Sequence, residues 1–265
     1  GLLLARTDMD ATKHDGLSYF IIDMKQPGVE TQPLKQMNGY ASFNQVFLTD
    51  AEVLPDFQVA ELGDGWKVAT TTLMHERRAA DSLRAWGQVP DTDGPIYDQE
   101  RAEVETTMAP YKWYPQRAGR VDLIMQRAKE TGAIKDPAVR QEIAKLMTLH
   151  KSAEWTARRA RSAQEQGKPQ GPEGSLGKLA ASNVARAAAK VHTMISGADS
   201  MLSGDDSPEN GTVAEVLISF PASSIAGGTD EIQKNIISER VLDMPKETRF
   251  DAGKPFKDIP RNTIS

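Results

Sequence analysis

Hydrophobic spacing in this chain changes character once, close to Asp64, and that change constrains the fold more than any other feature. Before it, short β-prone runs alternate with turn residues: Leu2–Ala5, Leu17–Met24, Val29–Leu34 and Phe43–Leu48, with Pro27-Gly28 marking a turn between the second and third. After it, apolar residues recur every three or four positions, loops apart, nearly to Met244. The two periods predict antiparallel strands followed by an α-helical domain. Four strands without further partners would leave open sheet edges, and Gly1 stands within what reads as a strand. Both features predict that the rest of a β-domain lies upstream. The expected division is 1–60 as the closing part of that domain, 61–245 as a helical bundle and 246–265 as an extended tail.

Capping residues place the helices. Asp64 is expected to cap a helix running to about Trp86, and Asp136-Pro137 opens a second in the favoured cap-then-proline order, with Gly167 able to end it. At 1.5 Å per residue that second helix would be about 45 Å long. The stretch KPQGPEG reads as a tight connection to another helix. On that helix Leu176, Leu179, Asn183, Ala187, Val191 and Met194 form the expected inward face. Long helices joined by a short connection predict an antiparallel bundle. Residues 87–117 and 196–211 interrupt the pattern and read as loops.

Several chemistries are excluded by composition. The chain has no cysteine, so disulfides, thiolate nucleophiles and thiolate metal sites are out. Its 4 histidines include no i,i+4 pair, and no metal is expected. A formal net charge of -5 gives no mean attraction to a phosphate backbone, so nucleic acid is not an expected partner. Apolar runs fall far short of the ~20 residues that cross a bilayer. A soluble protein of the bacterial cytoplasm or an organelle matrix is the expectation.

Two constellations could carry chemistry. On the helix after Asp64, Leu73, Glu76, Ala80 and Leu83 follow a three, four, three spacing, so a carboxylate stands in an apolar stripe. Its neighbours one turn away are Thr72, Leu73, Ala79 and Ala80, none of which compensates its charge. Either Glu76 pairs with another helix or lies on a partly exposed stripe, or it is the partly desolvated carboxylate that carbon-acid chemistry uses as a base. The second constellation is the run from Ile225 to Ile232, IAGGTDEI. Its glycines would let the backbone approach a planar ligand, and Thr229 can cap the following helix, although the same pattern serves plain turns.

The run SSIAGGTDEIQKNIISERVLDMP, preceded by GPEGSLGKL, resembles the carboxy-terminal signature of the acyl-CoA dehydrogenases. FNQVFLTDAEVLP followed by GDGWKVATTTLMHERR is similar to that family's passage from its last β-strands into the first helix of the carboxy-terminal bundle. The resemblance implies a mainly α fold, with a β segment leading into a four-helix bundle. It also implies FAD, an acyl-CoA substrate and electron-transfer flavoprotein as electron acceptor. The expected assembly is a homotetramer built as a dimer of dimers, or a heterotetramer. Many members carry the catalytic glutamate immediately before the signature Gly-Thr, where this chain has Gly227; Gly228 is the glycine of that pair. A second group places it on the first helix in a Leu-x-x-Glu-Arg setting, which Leu73-Met74-His75-Glu76-Arg77 matches. By resemblance, then, Glu76 is the base and the backbone N–H of Gly227 stabilises the thioester oxyanion. Arg77 holds the CoA arm, and Gly228, Thr229 and Glu231 lie against the FAD. The implied reaction is α,β-dehydrogenation to the trans-2-enoyl-CoA. The alternatives on the same fold are a catalytically silent partner subunit, an acyl-CoA oxidase and a flavin monooxygenase.

Overall fold

The computed structural model describes residues 1–86, 92–109, 113–168, 171 and 173–260, with the side chains of 77–86 outside that description. Contacts group the chain into two units. The first comprises Gly1–Lys35, Ala41–Pro110 and Glu247–Ser265, and the second comprises Gln36–Tyr40 and Tyr111–Lys246.

In the first unit β1 (Leu2–Arg6), β2 (Leu17–Ile21), β3 (Val29–Leu34), β4 (Phe43–Leu48) and the two-residue β5 (Gln58–Val59) form two antiparallel sheets. One has the order β1-β2-β5, with Leu2 opposite Ile21 and Tyr19 opposite Val59. The other is the β3-β4 ribbon, with Val29 opposite Leu48. The four expected strands are present, the second ending at Ile21 rather than Met24. Helix α1 (Gly65–Trp86) starts against β2. A Cβ on Gly65 would lie 2.5 Å from the Ser18 carbonyl carbon, so this approach requires glycine. Buried Ser18 accepts from the Gly63 N–H at 3.1 Å, and Ala69 is buried one turn further on. This packing groups α1 with the strands within the chain. After Met244 the chain returns to the same unit. There the Phe256 N–H donates to the Ala11 carbonyl at 3.0 Å and the Arg6 guanidinium lies 3.6 Å over the Phe256 ring.

The expectation of a loop over 87–117 is corrected by α2 (Pro95–Met108) and the short α3 (Tyr114–Arg117); residues 87–91 and 110–112 lie outside the described residues. Helix α2 has Pro95 in its first turn and buries no residue, so it carries no apolar period to read.

The second unit is helical: α4 (Val121–Glu130), α5 (Pro137–Glu165), α6 (Glu173–Ser196), α7 (Thr212–Ser219) and α8 (Asp230–Arg240). Short 3₁₀ turns occupy the stretch between α6 and α7 that reads as a loop. Asp136 caps α5, its side chain accepting from the Ala138 N–H at 2.7 Å. Helix α6 is central, packing on α5, α4, α7 and α8. Its core partners are Ile124 and Ala128 from α4 and Val139, Ile143 and Leu146 from α5. Burying each large aliphatic side chain here contributes about 1.5–3 kcal/mol. The buried residues of α6 are Ser182, Val184, Ala185, Ala188, Ala189, Val191, His192 and Ile195; of the expected face Val191 is among them, and Ala187 and Met194 pack partly buried against the same core. Small residues define the inward side because they let neighbouring backbone come close, whereas Leu176 is exposed.

Candidate active site

Glu76 lies on α1, in the strand-containing unit, and its side chain is exposed. Leu73 and Met74 beside it are 49% and 40% exposed. The expected partial burial of this carboxylate is therefore not met within this chain. The helix packs on β2 and β1, with Gly65 against Ser18 and Ala69 buried, while Leu73 to Glu76 are exposed. The side chains of Arg77, Ala80 and Leu83 fall outside the described residues.

The Gly-Gly-Thr turn belongs to the helical unit. Gly227 and Gly228 have φ of +71° and +93°, a left-handed pair that side chains resist. Gly227 is exposed, and among the described residues, its chain neighbours apart, no atom lies within 4 Å of the position its Cβ would take. Thr229 caps α8 as expected, its hydroxyl accepting from the Ile232 N–H at 3.3 Å. Glu231 is exposed in the first turn of that helix, where the helix dipole favours its charge. An open, side-chain-free turn feeding a capped helix N-terminus fits a planar, phosphate-bearing cofactor such as a flavin. The four residues Gly227, Gly228, Thr229 and Glu231 are thus brought together by one turn.

What fixes that turn was not legible in the sequence. Asp230, 5% exposed, sits just inside α8, and α6 brings two cations to it: Arg186 Nη2 at 3.0 Å and Lys178 Nζ at 3.5 Å. Burial opposes its ionisation, but hydrogen bonds from Ser182, Arg186 and Ser224 and the charge of Lys178 outweigh it, bringing the carboxyl down to about 2. Lys178 Nζ also donates to the Ser223 carbonyl at 2.6 Å, joined there by Ser182 Oγ at 2.8 Å. Arg186 Nη2 donates to Ser224 Oγ at 3.0 Å. Both ends of the stretch from Ser223 to Asp230 are consequently clamped to α6. The signal missed was a Lys-Ser-Arg stripe at four-residue spacing on α6, which reads as solvated surface until Asp230 arrives 52 residues after Lys178.

A second buried polar cluster holds the bundle beneath. His192 is fully buried, with Nε2 at 3.1 Å from the Gly119 carbonyl and 3.2 Å from that of Arg120. Two acceptors there put the ring proton on Nε2, so Nδ1 accepts from Arg127 Nη1 at 3.2 Å. Arg127 also donates to Ser196 Oγ at 2.6 Å and lies 3.4 Å from Glu209. Burial pushes the His192 imidazole below its usual value, and the Arg127 charge adds to this. Folded His192 therefore resists a proton that the unfolded chain accepts near pH 6.5, so stability is full above that pH and is lost as pH falls below it. We expect thermal melts between pH 7.5 and 5 to decline with a slope of at most about 1.4 kcal/mol per pH unit from this group. His192→Gln should flatten that slope, and an unchanged slope would refute the assignment. The cavity beside Arg127 carries Glu130, Asp199 and Glu209 around this one committed cation, a lining unsuited to the phosphates of a CoA thioester.

Residues 117–242 match the family described as acyl-CoA dehydrogenase, C-terminal domain. Acyl-CoA dehydrogenase IpdE1 of Mycobacterium tuberculosis is 30% identical over 253 residues, an alignment covering 93% of this chain and 56% of IpdE1. Among solved structures, one titled Tcur3481-Tcur3483 steroid ACAD superposes with a TM-score of 0.69 at 19% identity, over 92% of this chain and 56% of that one. The ChsE4-ChsE5 complex from Mycobacterium tuberculosis gives 0.61 at 19% identity, over 92% and 57%. The chain spans about half the length of the proteins it resembles. With residues 117–242 matched to the family's carboxy-terminal domain and the preceding strands and α1 also aligned, the chain belongs to the acyl-CoA dehydrogenases, a family of FAD-dependent oxidoreductases.

Proposed function

We propose that the full-length protein oxidises a bulky, ring-bearing or α-branched acyl-CoA to its trans-2-enoyl-CoA, and that this chain supplies the base and the oxyanion donor. The observation that carries the reading is Gly227: where many relatives have a glutamate, this exposed position has no side chain and open space around it. A base must then come from elsewhere, and Glu76, in its Leu-x-x-Glu-Arg setting, is the carboxylate in the family's other position. The space at Gly227 and the steroid ACAD title of one structural neighbour both favour a large acyl group.

In this mechanism Glu76 accepts the α-proton. The Gly227 N–H donates to the thioester carbonyl as negative charge develops there, a contribution that needs no side chain. Arg77 holds the CoA arm, while Gly228, Thr229 and Glu231 line the cofactor. FAD, when bound, supplies the acceptor for the β-hydrogen leaving as hydride. We further propose that α1 serves the complete protein as the first helix of a bundle domain spanning 61–245, and that electron-transfer flavoprotein reoxidises the flavin. A mixed tetramer is favoured over a homotetramer by the structural neighbour that is a ChsE4-ChsE5 complex.

Anaerobic titration of the full-length protein with a panel of acyl-CoA thioesters tests the reading. Steroid-type or branched thioesters should bleach the flavin with a kcat/KM at least ~10-fold above butyryl-CoA, the scale on which pocket fit discriminates. A strict preference for butyryl-CoA would defeat the bulky-substrate assignment. No bleaching by any thioester would turn the reading to a silent subunit, and peroxide formed when air is admitted would turn it to an oxidase.

A further inference from the structure

The stretch that carries the oxyanion donor is anchored unevenly. On its amino-terminal side, the N–H groups of Ile225 and Ala226 both donate to the Ala222 carbonyl, at 3.2 and 2.9 Å, while Ser223 and Ser224 are held by Lys178, Ser182 and Arg186. On its carboxy-terminal side, Thr229 caps α8 and Asp230 is clamped. Between these anchors lie two glycines in left-handed conformation, the backbone with the greatest freedom to turn. Among the described residues, its chain neighbours apart, nothing stands within 4 Å of the Gly227 Cβ position to support it laterally.

Gln233 spans this gap. It sits one turn into α8, is 6% exposed, and donates from Nε2 to the Gly227 carbonyl at 3.2 Å. The same amide lies 2.7 Å from where a Cβ on Gly228 would be, so the glycine is what lets the side chain reach that carbonyl. Because a peptide unit is planar, holding the Gly227 carbonyl fixes the whole 227–228 plane. The Gly227 N–H lies in the intervening 226–227 plane. That plane is joined to the held 227–228 plane through φ and ψ of Gly227 and to the plane of the Ala226 N–H, tied to Ala222, through φ and ψ of Ala226, so a hold on each side restricts where the Gly227 N–H points. We infer that Gln233 is a positioning residue for the reaction: through the Gly227 carbonyl it aims the Gly227 N–H at the thioester oxygen. The inference rests on the acyl-CoA dehydrogenase reading given above. Gln233 touches neither substrate nor cofactor in this role.

The test uses the full-length holoenzyme with Gln233→Met, which keeps length and bulk but cannot donate, and Gln233→Asn, which withdraws the amide by one methylene. Two measurements are made. Backbone amide exchange over the peptide containing Ile225–Thr229 should accelerate at least ~10-fold in both variants, while exchange in α5 and the melting temperature stay close to wild type. In anaerobic stopped flow, the limiting rate of flavin reduction should fall about 10- to 100-fold, less than complete loss of an oxyanion donor, with the apparent Kd of the thioester changed less than about threefold. Unchanged exchange in either folded variant would overturn the inference. So would faster exchange with an unchanged limiting rate, because Gln233 would then be structural only. Wild-type protein inert toward every thioester would sink the functional reading instead, and the exchange data would still decide whether Gln233 holds the turn.

Discussion

Glu76→Gln in the full-length protein should lower the rate of flavin reduction by acyl-CoA at least ~10²-fold, the lower end expected when a positioned general base is removed. Glutamine preserves volume and reach but cannot accept the α-proton. Because Glu76 is exposed on α1, loss of its charge should change stability by no more than about 0.5 kcal/mol. FAD content and thioester affinity should likewise persist. An ion pair buried against a part of the full-length protein outside this chain would give the opposite balance, a protein weakened by about 3–5 kcal/mol with near-normal reduction. Stopped-flow bleaching beside thermal melts separates the two. Near-normal bleaching in a stable variant would remove Glu76 from the mechanism, and Gly227 has no side chain to replace it.

The largest expected effect on stability lies at Gly119, where α3 passes into α4. This residue has φ of +96°, and a Cβ on it would come within 2.7 Å of the Ala188 Cβ and 3.1 Å of the Ala185 Cα, both on α6. Gly119→Ala therefore combines a left-handed penalty of about 1–2 kcal/mol with overpacking of about 1–3 kcal/mol. A total of about 2–5 kcal/mol is expected in denaturant unfolding. It should also disturb the carbonyl that receives the His192 proton. Gly132→Ala provides the comparison: φ there is +76° with nothing within 4 Å of the Cβ, so only the conformational part should appear. Equal effects at the two positions would mean that α6 yields freely and that the close approach is not a constraint.

The readable parts of the sequence were those encoded by neighbours. Strands β1 to β4, the Asp136 cap with Pro137 behind it and the Thr229 cap all depend on residues within a few positions of one another, so local chemistry sufficed. Helix α2 escaped because nothing on it is buried, and a helix without an apolar face leaves no period. The inward side of α6 is legible only in part, at Ala187, Val191 and Met194, because the alanines and serine that complete it serve closeness rather than hydrophobicity. Asp230 and Gln233 were passed over for a third reason. Each looks like a solvated side chain in its own helix, and only the approach of Lys178 and Arg186 to one, and of the Gly227 carbonyl to the other, gives it a task. Glu76 was legible through its Leu-x-x-Glu-Arg setting, a local pattern on α1, where the side chain is exposed.

The α5-α6 hairpin is fastened near one end. Its buried residues are Val139, Ile143 and Leu146 on α5 and Ser182 to Ile195 on α6, whereas the outer turns of α5 carry Trp155 at 64% exposure and a succession of charged residues. Within this chain, whole turns could be added or removed where α5 ends and α6 begins without moving a single core side chain. Length at that end is thus a quantity free to drift among related chains, while the Gly-Gly-Thr turn, held to α6 through Lys178, Ser182 and Arg186, stays where it is.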